Sequence, residues 1–147
     1  MIEQILKKEM PTLFEYNTEL LTISERKSFF LSFLESEHSE ENLLFYLDAL
    51  NYKEIKEEKE RIEKAFTIYH QYIKFYVINI SSSCFAFINQ NYELGKPDLF
   101  VNAAEEVLLN MKDPFVRFKK SKEFKVMLRV NFNKYQQNLI QTLESYY

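Results

Sequence analysis

The sequence predicts an all-α fold in a single domain, and three observations support that prediction. The 147 residues include one Gly and three Pro, too few turn-forming residues for a protein built of many short strands. Segments rich in Glu, Lys, Leu and Phe favour long helices. The length and the hydrophobic fraction of 46% fit one compact domain that buries roughly two thirds of its unfolded surface.

Charge and residue types exclude several classes of function. A formal net charge of -3 argues against nucleic acid as a partner, because that binding needs a surplus of Lys and Arg. The single cysteine, Cys84, excludes an internal disulfide framework and agrees with a reducing compartment. His38 and His70 lie far apart without spaced metal ligands. We therefore expect no catalytic group, no metal site and no cofactor.

The first half of the chain contains three predicted helical segments. Ser24 is a plausible N-cap for a helix that ends near Glu35. Ser39 can cap the next helix, with acidic residues in its positive first turn. Lys and Glu alternate from Lys53 to Lys64 as on a solvated helical face, and a further helix should reach about Phe75. The predicted apolar faces are Phe29, Phe30, Phe33 and Leu34; Leu43, Leu44, Leu47, Leu50 and Ile55; and Ile62, Phe66, Tyr69, Ile73 and Tyr76.

The second half alternates turns with helices. Small polar residues from Asn79 to Ser83 predict a loop, and a helix should cover Cys84 to Asn91. The Gly-Lys-Pro sequence within residues 92–98 predicts a turn before the next helix. Asp113 followed by proline is typical of an N-cap and a first helical residue. The final helix should run almost to the carboxyl terminus with a bend near Ser121.

A set of ordered motifs gives the chain its resemblance to a known family. The run from Phe33 to Tyr46, FLESEHSEENLLFY, resembles the signature of the regulator of G-protein signalling (RGS) domain. The later segments YKEI (52–55), AFTIY (65–69), INI (78–80) and RF (117–118) follow in the order and at the approximate separations of that family. The resemblance extends from about Phe29 to Leu128.

The resemblance implies a fold of about nine helices in which three loops grip the switch regions of a GTP-bound Gα subunit. It also implies that the domain accelerates GTP hydrolysis by Gα without supplying a base, a nucleophile or an arginine finger. Asn79 would sit beside the Gα glutamine that positions the attacking water. The residues that would contact Gα are Glu37, Glu41, Asn42, Asn79, Leu109, Asp113 and Arg117.

Each of these residues also has a structural interpretation. Glu41 and Asn42 can serve the helix start alone, and Asn79 can shape a turn. Asp113 can cap a helix while Arg117, four residues later, braces it.

The sequence departs from the family pattern at three positions, of which Ser81 and Pro114 favour an alternative function, a docking module without GTPase-activating activity. Tyr46 replaces the usual Trp, Ser81 replaces an Asp common in active members, and Pro114 replaces Ser or Asn. The stretch before Asp113 is one residue shorter, which leaves open whether Leu109 or Asn110 takes the family's contact position.

We divide the chain into an N-terminal helical segment (1–23) that packs on the core, an RGS-like domain (24–130) and a C-terminal helical extension (131–147). We expect a cytoplasmic monomer that can be recruited to the inner face of the plasma membrane. The last helix favours such peripheral contact because it combines apolar with basic residues, although its apolar stripe can instead pack onto the domain. The residues concerned are Phe124, Leu128 and Phe132 with Lys119, Lys120, Lys122, Lys125, Arg129 and Lys134.

Overall fold

The computed structural model describes residues 23–145, and every regular element in that part of the chain is helical. The all-α prediction is therefore confirmed. The described residues contain seven α-helices, fewer than the nine or so that the resemblance implies, together with a π-helical turn at Tyr69–Ile73 and a 3₁₀ turn at Tyr92–Leu94. The α-helices are α1 (Ile23–Ser36), α2 (Glu41–Glu54), α3 (Glu58–Ile68), α4 (Ser82–Asn91), α5 (Val101–Asn110), α6 (Lys112–Phe118) and α7 (Lys122–Ser145).

The described residues divide into two compact units, the first formed by residues 23–37 with 115–145 and the second by residues 38–114. The predicted N-terminal segment (1–23) lies almost wholly outside the described residues, and the cap at Ser24 falls where the description begins.

Aromatic rings form the core of the first unit. Phe33 lies 5.6 Å from Phe118, and Phe118 lies 5.5 Å from Phe124, measured between ring centroids. Phe30 packs edge-on against Phe115 at 5.2 Å. Aromatic pairs in such tilted and edge-on arrangements add to the burial of their apolar surface. The buried stripe predicted for α1 is confirmed at Phe30, Phe33 and Leu34.

The second unit is centred on α2, which packs against α5 and α3. Phe45 of α2 contacts Tyr72 and Phe100 edge-on, at 5.5 and 6.0 Å between centroids. The apolar face predicted for α2 is partly wrong. Leu44 is 36% exposed, whereas the buried residues of α2 are Leu43, Phe45, Tyr46, Ala49 and Tyr52. The buried arc of α2 is wider than a single apolar stripe, so the spacing of apolar residues alone could not identify which of them are buried.

Two details of the first half differ from the predictions. The residue that flanks α2 is Glu40, not Ser39, and its side chain makes no capping hydrogen bond. The spacing from Ile62 to Tyr76 predicts that the aromatics of this segment lie in the core, but Phe66 is 56% exposed and Tyr76 is 73% exposed. A π-helical turn at Tyr69–Ile73 inserts an extra residue per turn and so shifts the buried face before Tyr76. Phe66 precedes that turn and packs on the surface against the His70 ring, with 4.0 Å between centroids.

The second half follows the prediction closely. Ser81 is the N-cap of α4, and its hydroxyl accepts a hydrogen bond from the Cys84 N–H. Gly95 adopts a left-handed φ of 56° at the predicted turn. A helix break precedes α7, whose Phe124 N–H donates to the Ser121 hydroxyl. One correction concerns α6, which begins at Lys112, so that Asp113 lies in its first turn rather than at its N-cap.

Candidate partner-binding groove

A groove of about 430 Å³ in the second unit brings together three of the seven predicted contact residues. We call it the groove throughout. Glu41 and Asn42 enter it from the first turn of α2, and Asn79 enters it from the loop before α4. Its lining is Glu41, Asn42, Ile73, Tyr76, Val77, Ile78, Asn79, Ile80, Ser82 and Phe85.

Asn42 lines this groove and contains a buried oxygen that lacks a hydrogen-bond partner among the described residues. Its side-chain Oδ1 is buried, and no described residue donates to it. A buried oxygen without a donor costs roughly 1–3 kcal/mol.

The Asn79 segment is held from two directions. Ile78, only 4% exposed, anchors the segment in the core. On the other side, the Asn110 side-chain Nδ2 donates to the Asn79 backbone oxygen at 2.8 Å. Because the backbone is fixed by these contacts, the Asn79 side chain stands exposed at a defined place on the groove.

A carboxylate from α5 fixes the same segment two residues later. Glu106 accepts hydrogen bonds from both the backbone N–H and the hydroxyl of Ser81, at 2.8 and 2.6 Å. These bonds hold the pKa of the Glu106 carboxyl below its ordinary value. Glu106 and Asn110 lie four residues apart, on one face of α5, so a single helix face positions the loop.

A second cavity of about 260 Å³ lies along this face of α5, and Asn79 lines it as well as the groove. Leu109 and Asn110 both line the second cavity. The Asn110 amide is engaged by Asn79, whereas Leu109 is 60% exposed. Of the two candidates for the contact position, Leu109 is thus the one with an apolar surface free for a partner.

Asp113 is exposed in the first turn of α6 and is not among the residues that line these two cavities.

The remaining two predicted residues lie in the first unit and contact each other. Arg117 donates from Nε and from one terminal nitrogen to the two oxygens of Glu37, at 3.1 and 3.0 Å. This fork geometry is the favoured arrangement of an arginine and a carboxylate. Hydrogen bonding to Arg117 lowers the pKa of the Glu37 carboxyl.

The chemistry of these sites is hydrogen bonding and packing. Among residues 23–145 no group of three or more His, Cys, Asp or Glu side chains is arranged to hold a metal ion. Burial raises the pKa of the Cys84 thiol, which disfavours a reactive thiolate. None of the helices described has both the length and the apolar character needed to cross a membrane.

Comparison with known proteins identifies the family. The family model described as "Regulator of G protein signaling domain" matches residues 17–127, well over half of the chain. The chain belongs to the RGS family. It is 32% identical over 104 residues to human "Regulator of G-protein signaling 13", covering 68% of this chain and 65% of that protein. It is 35% identical over 104 residues to mouse "Regulator of G-protein signaling 5", covering 68% and 58%. The chain thus spans less than two thirds of the length of these relatives.

Two of the three departures expected for this RGS chain have structural consequences. Tyr46, in place of the usual Trp, is 2% exposed and its hydroxyl has no partner among the described residues. Ser81 takes the place of an Asp, and its hydroxyl donates a hydrogen bond to the Glu106 carboxylate. Pro114 is the third residue of α6, within the first turn, where the missing N–H breaks no helical hydrogen bond.

Sequence reasoning on this RGS chain missed the residues that position the Asn79 loop. Glu106 and Asn110 lie within an ordinary amphipathic helix, and neither side chain has a distinctive spacing. Only the fold brings α5 against the loop before α4. A prediction of their role would have required the distance between two elements that are separated by about 25 residues in sequence.

Proposed function

We propose that this chain is a GTPase-activating protein for heterotrimeric Gα subunits that binds the GTP-bound switch regions and stabilises the transition state for hydrolysis. Family membership supports the partner class. The observation that best supports the contact site is the groove, because it gathers Glu41, Asn42 and Asn79 and leaves a buried Asn42 oxygen without a donor.

The proposed mechanism requires little covalent chemistry from the chain. A Gα subunit carries its own glutamine, magnesium and an arginine in cis. A partner that binds the transition-state arrangement of the switches better than the ground state lowers the barrier by that difference. A thousandfold acceleration corresponds to about 4 kcal/mol. Two or three hydrogen bonds to charged groups, each contributing roughly 1.5–3 kcal/mol, are sufficient.

Within this proposal, Asn79 contacts the catalytic glutamine of Gα, and Asn42 accepts a hydrogen bond from a switch residue. Leu109 adds an apolar contact beside Asn79. Asp113, Glu37 and Arg117 complete the proposed set, with Glu37 and Arg117 acting as a pair because each already orients the other. The chain contributes no catalytic group of its own and requires no cofactor.

Single-turnover GTP hydrolysis by several Gα subunits, with and without this chain, tests the proposal. We expect acceleration of at least one Gα. The variant Asn79→Ala should reduce the stimulated rate roughly tenfold, equal to a loss of about 1.4 kcal/mol of differential binding. Asn51→Ala is the matched control, because Asn51 is exposed on α2 and is not among the residues that line the groove. Equal rates for both variants would contradict the role of Asn79.

The docking-module alternative predicts a different binding pattern. It is supported by Ser81, whose hydroxyl donates to Glu106 rather than presenting a carboxylate of its own. Affinity for Gα loaded with GDP and aluminium fluoride, a transition-state mimic, should exceed affinity for the GTP-bound form if the chain is an activator. Equal affinities with no acceleration would favour docking alone.

We also propose that α7 holds the chain near an anionic membrane. Lys122, Lys125 and Arg129 are exposed on α7, and Phe132 is 52% exposed on the same side. Lys134 instead pairs with Glu25 at 2.7 Å. The apolar residue Phe124, expected in the stripe, lies in the core. We expect the chain to bind vesicles that contain phosphatidylserine. The triple variant Lys122→Glu, Lys125→Glu, Arg129→Glu should lose this binding, and equal binding of the variant would refute the proposal.

A further inference from the structure

The helical segment that precedes the groove ends in a Schellman motif with tyrosine at the position where glycine is usual. The Tyr76 N–H donates to the Ile73 oxygen at 3.0 Å, and the Val77 N–H donates to the Tyr72 oxygen at 3.2 Å. These are the paired bonds of that motif. The motif forces Tyr76 to a left-handed φ of 56°, a conformation that a bulky residue rarely adopts.

This ending exposes three consecutive apolar side chains, which together with Phe85 we call the apolar rim: Phe75, Tyr76, Val77 and Phe85. Phe75 and Tyr76 are each 73% exposed, and Val77 is 46% exposed. The Tyr76 ring stacks on Phe85 with 4.8 Å between centroids and 18° between planes. Exposed apolar side chains that lie together beside polar residues are typical of interaction surfaces.

Three of the four residues of the apolar rim share a cavity with the polar contact residues. Tyr76, Val77 and Phe85 line the groove together with Asn42 and Asn79. A group that enters the groove beside Asn42 therefore also meets the stacked rings. Lipid does not fit this surface, because acyl chains would leave Asn42 and Asn79 without hydrogen-bond partners. A protein surface that carries a donor beside an apolar side chain fits both halves.

We propose that the apolar rim is a docking surface for an apolar side chain of the Gα subunit and that Tyr76 is a specificity-determining residue of this interface. This inference rests on the proposed function and adds a basis for selectivity among Gα subunits. Gα subunits that present an apolar side chain next to the switch donor bind well, whereas those that present a charged side chain there are disfavoured by desolvation.

The variant Tyr76→Gly separates this role from a structural one. Glycine adopts the left-handed conformation without strain, so the variant should unfold at the same denaturant concentration as the wild type or a higher one. Its affinity for Gα should fall roughly tenfold, because the ring that contacts the partner is gone. A residue with only a structural role would show loss of stability and no selective loss of affinity.

Phe66→Ala is the matched control, because Phe66 is 56% exposed in the same unit and is not among the residues that line the groove. It should bind Gα as the wild type does. The affinities are measured by calorimetry with the full chain and Gα loaded with the transition-state mimic, and self-association is measured by sedimentation.

Wild-type affinity in Tyr76→Gly would overturn the inference and leave the proposed function intact. Absence of binding by the wild type across the panel would overturn the proposed function itself. A wild-type dimer that Tyr76→Gly converts to a monomer would identify a second copy as the occupant and also overturn the inference.

Discussion

Removal of the Tyr46 hydroxyl should stabilise the protein. Tyr46 is 2% exposed, and its hydroxyl is buried without a hydrogen-bond partner among the described residues. Burial raises the pKa of this phenol, consistent with its apolar surroundings. An unsatisfied buried polar group costs roughly 1–3 kcal/mol, and replacement by an apolar atom of similar shape removes that cost.

The variant Tyr46→Phe deletes one oxygen and leaves the ring in place. Since the small void that remains offsets part of the gain, we expect a net increase of about 1 kcal/mol in the free energy of unfolding. For a chain of this length that corresponds to a rise in Tm of roughly 3 °C. Urea unfolding followed by circular dichroism, with the thermal midpoint as a second measure, determines both quantities.

Tyr72→Phe is the matched control because it deletes the same atom from a tyrosine that is 4% exposed. The Tyr72 hydroxyl donates to Asp48 Oδ2 at 2.8 Å, and a hydrogen bond to a charged group contributes roughly 1.5–3 kcal/mol. This variant should therefore lose stability. If Tyr46→Phe loses stability by a similar amount, the Tyr46 hydroxyl has a partner and the reasoning fails.

Three further predictions concern a clamp, a turn and alkaline pH. Glu106→Gln should lower the free energy of unfolding by about 0.5–1 kcal/mol, because the exposed charge-assisted bonds to Ser81 weaken. Urea unfolding measures this loss, and an equal loss in Glu105→Gln, at an exposed neighbouring residue, would contradict a specific role of the Glu106–Ser81 hydrogen bonds. Gly95→Ala should lower the free energy of unfolding by about 2–4 kcal/mol, because a Cβ at φ 56° would lie 2.8 Å from the Ile62 Cα. Thermal unfolding measures this loss, and a loss below about 0.5 kcal/mol would refute the prediction. Burial raises the pKa of Tyr52 to about 12 from 10.0. The protonated phenol therefore contributes stability that is complete below pH 10 and is lost as the pH rises through 12. Tyr52→Phe should flatten the decline of the unfolding free energy over that range, and an unchanged slope would count against the prediction.

The sequence predicted the helices best where one face is buried and turn residues mark the ends. The helix at Val101–Asn110 and the turn at Gly95 follow from periodicity and from the single glycine. Prediction was poorer where the burial geometry is not that of one stripe. Tyr76 was expected in the core because it continues a three- and four-residue spacing, but the π-helical turn before it changes the phase of that spacing.

The candidate site was predictable to the extent that its residues are fixed by local motifs. Asn42 follows the start of α2, and Asn79 lies in a loop marked by small polar residues, so both could be located along the chain. What the sequence could not supply is long-range contact. The hydrogen bonds from Ser81 to Glu106 and from Asn110 to Asn79 join elements that only the fold brings together.

Among the buried oxygens that have no partner within residues 23–145, those of Asn42 and Tyr46 differ in what surrounds them. The Tyr46 hydroxyl belongs to a side chain enclosed in the core, whereas Asn42 lines a groove that a partner can enter. The same desolvation cost is thus only a loss at Tyr46 but can be recovered on binding at Asn42. Strain follows the same pattern at Tyr76, where a left-handed tyrosine is retained beside the groove. The unfavourable features at Asn42 and Tyr76 therefore coincide with the surface at which a partner can compensate for them, and the groove is where we expect binding to depend most strongly on individual side chains.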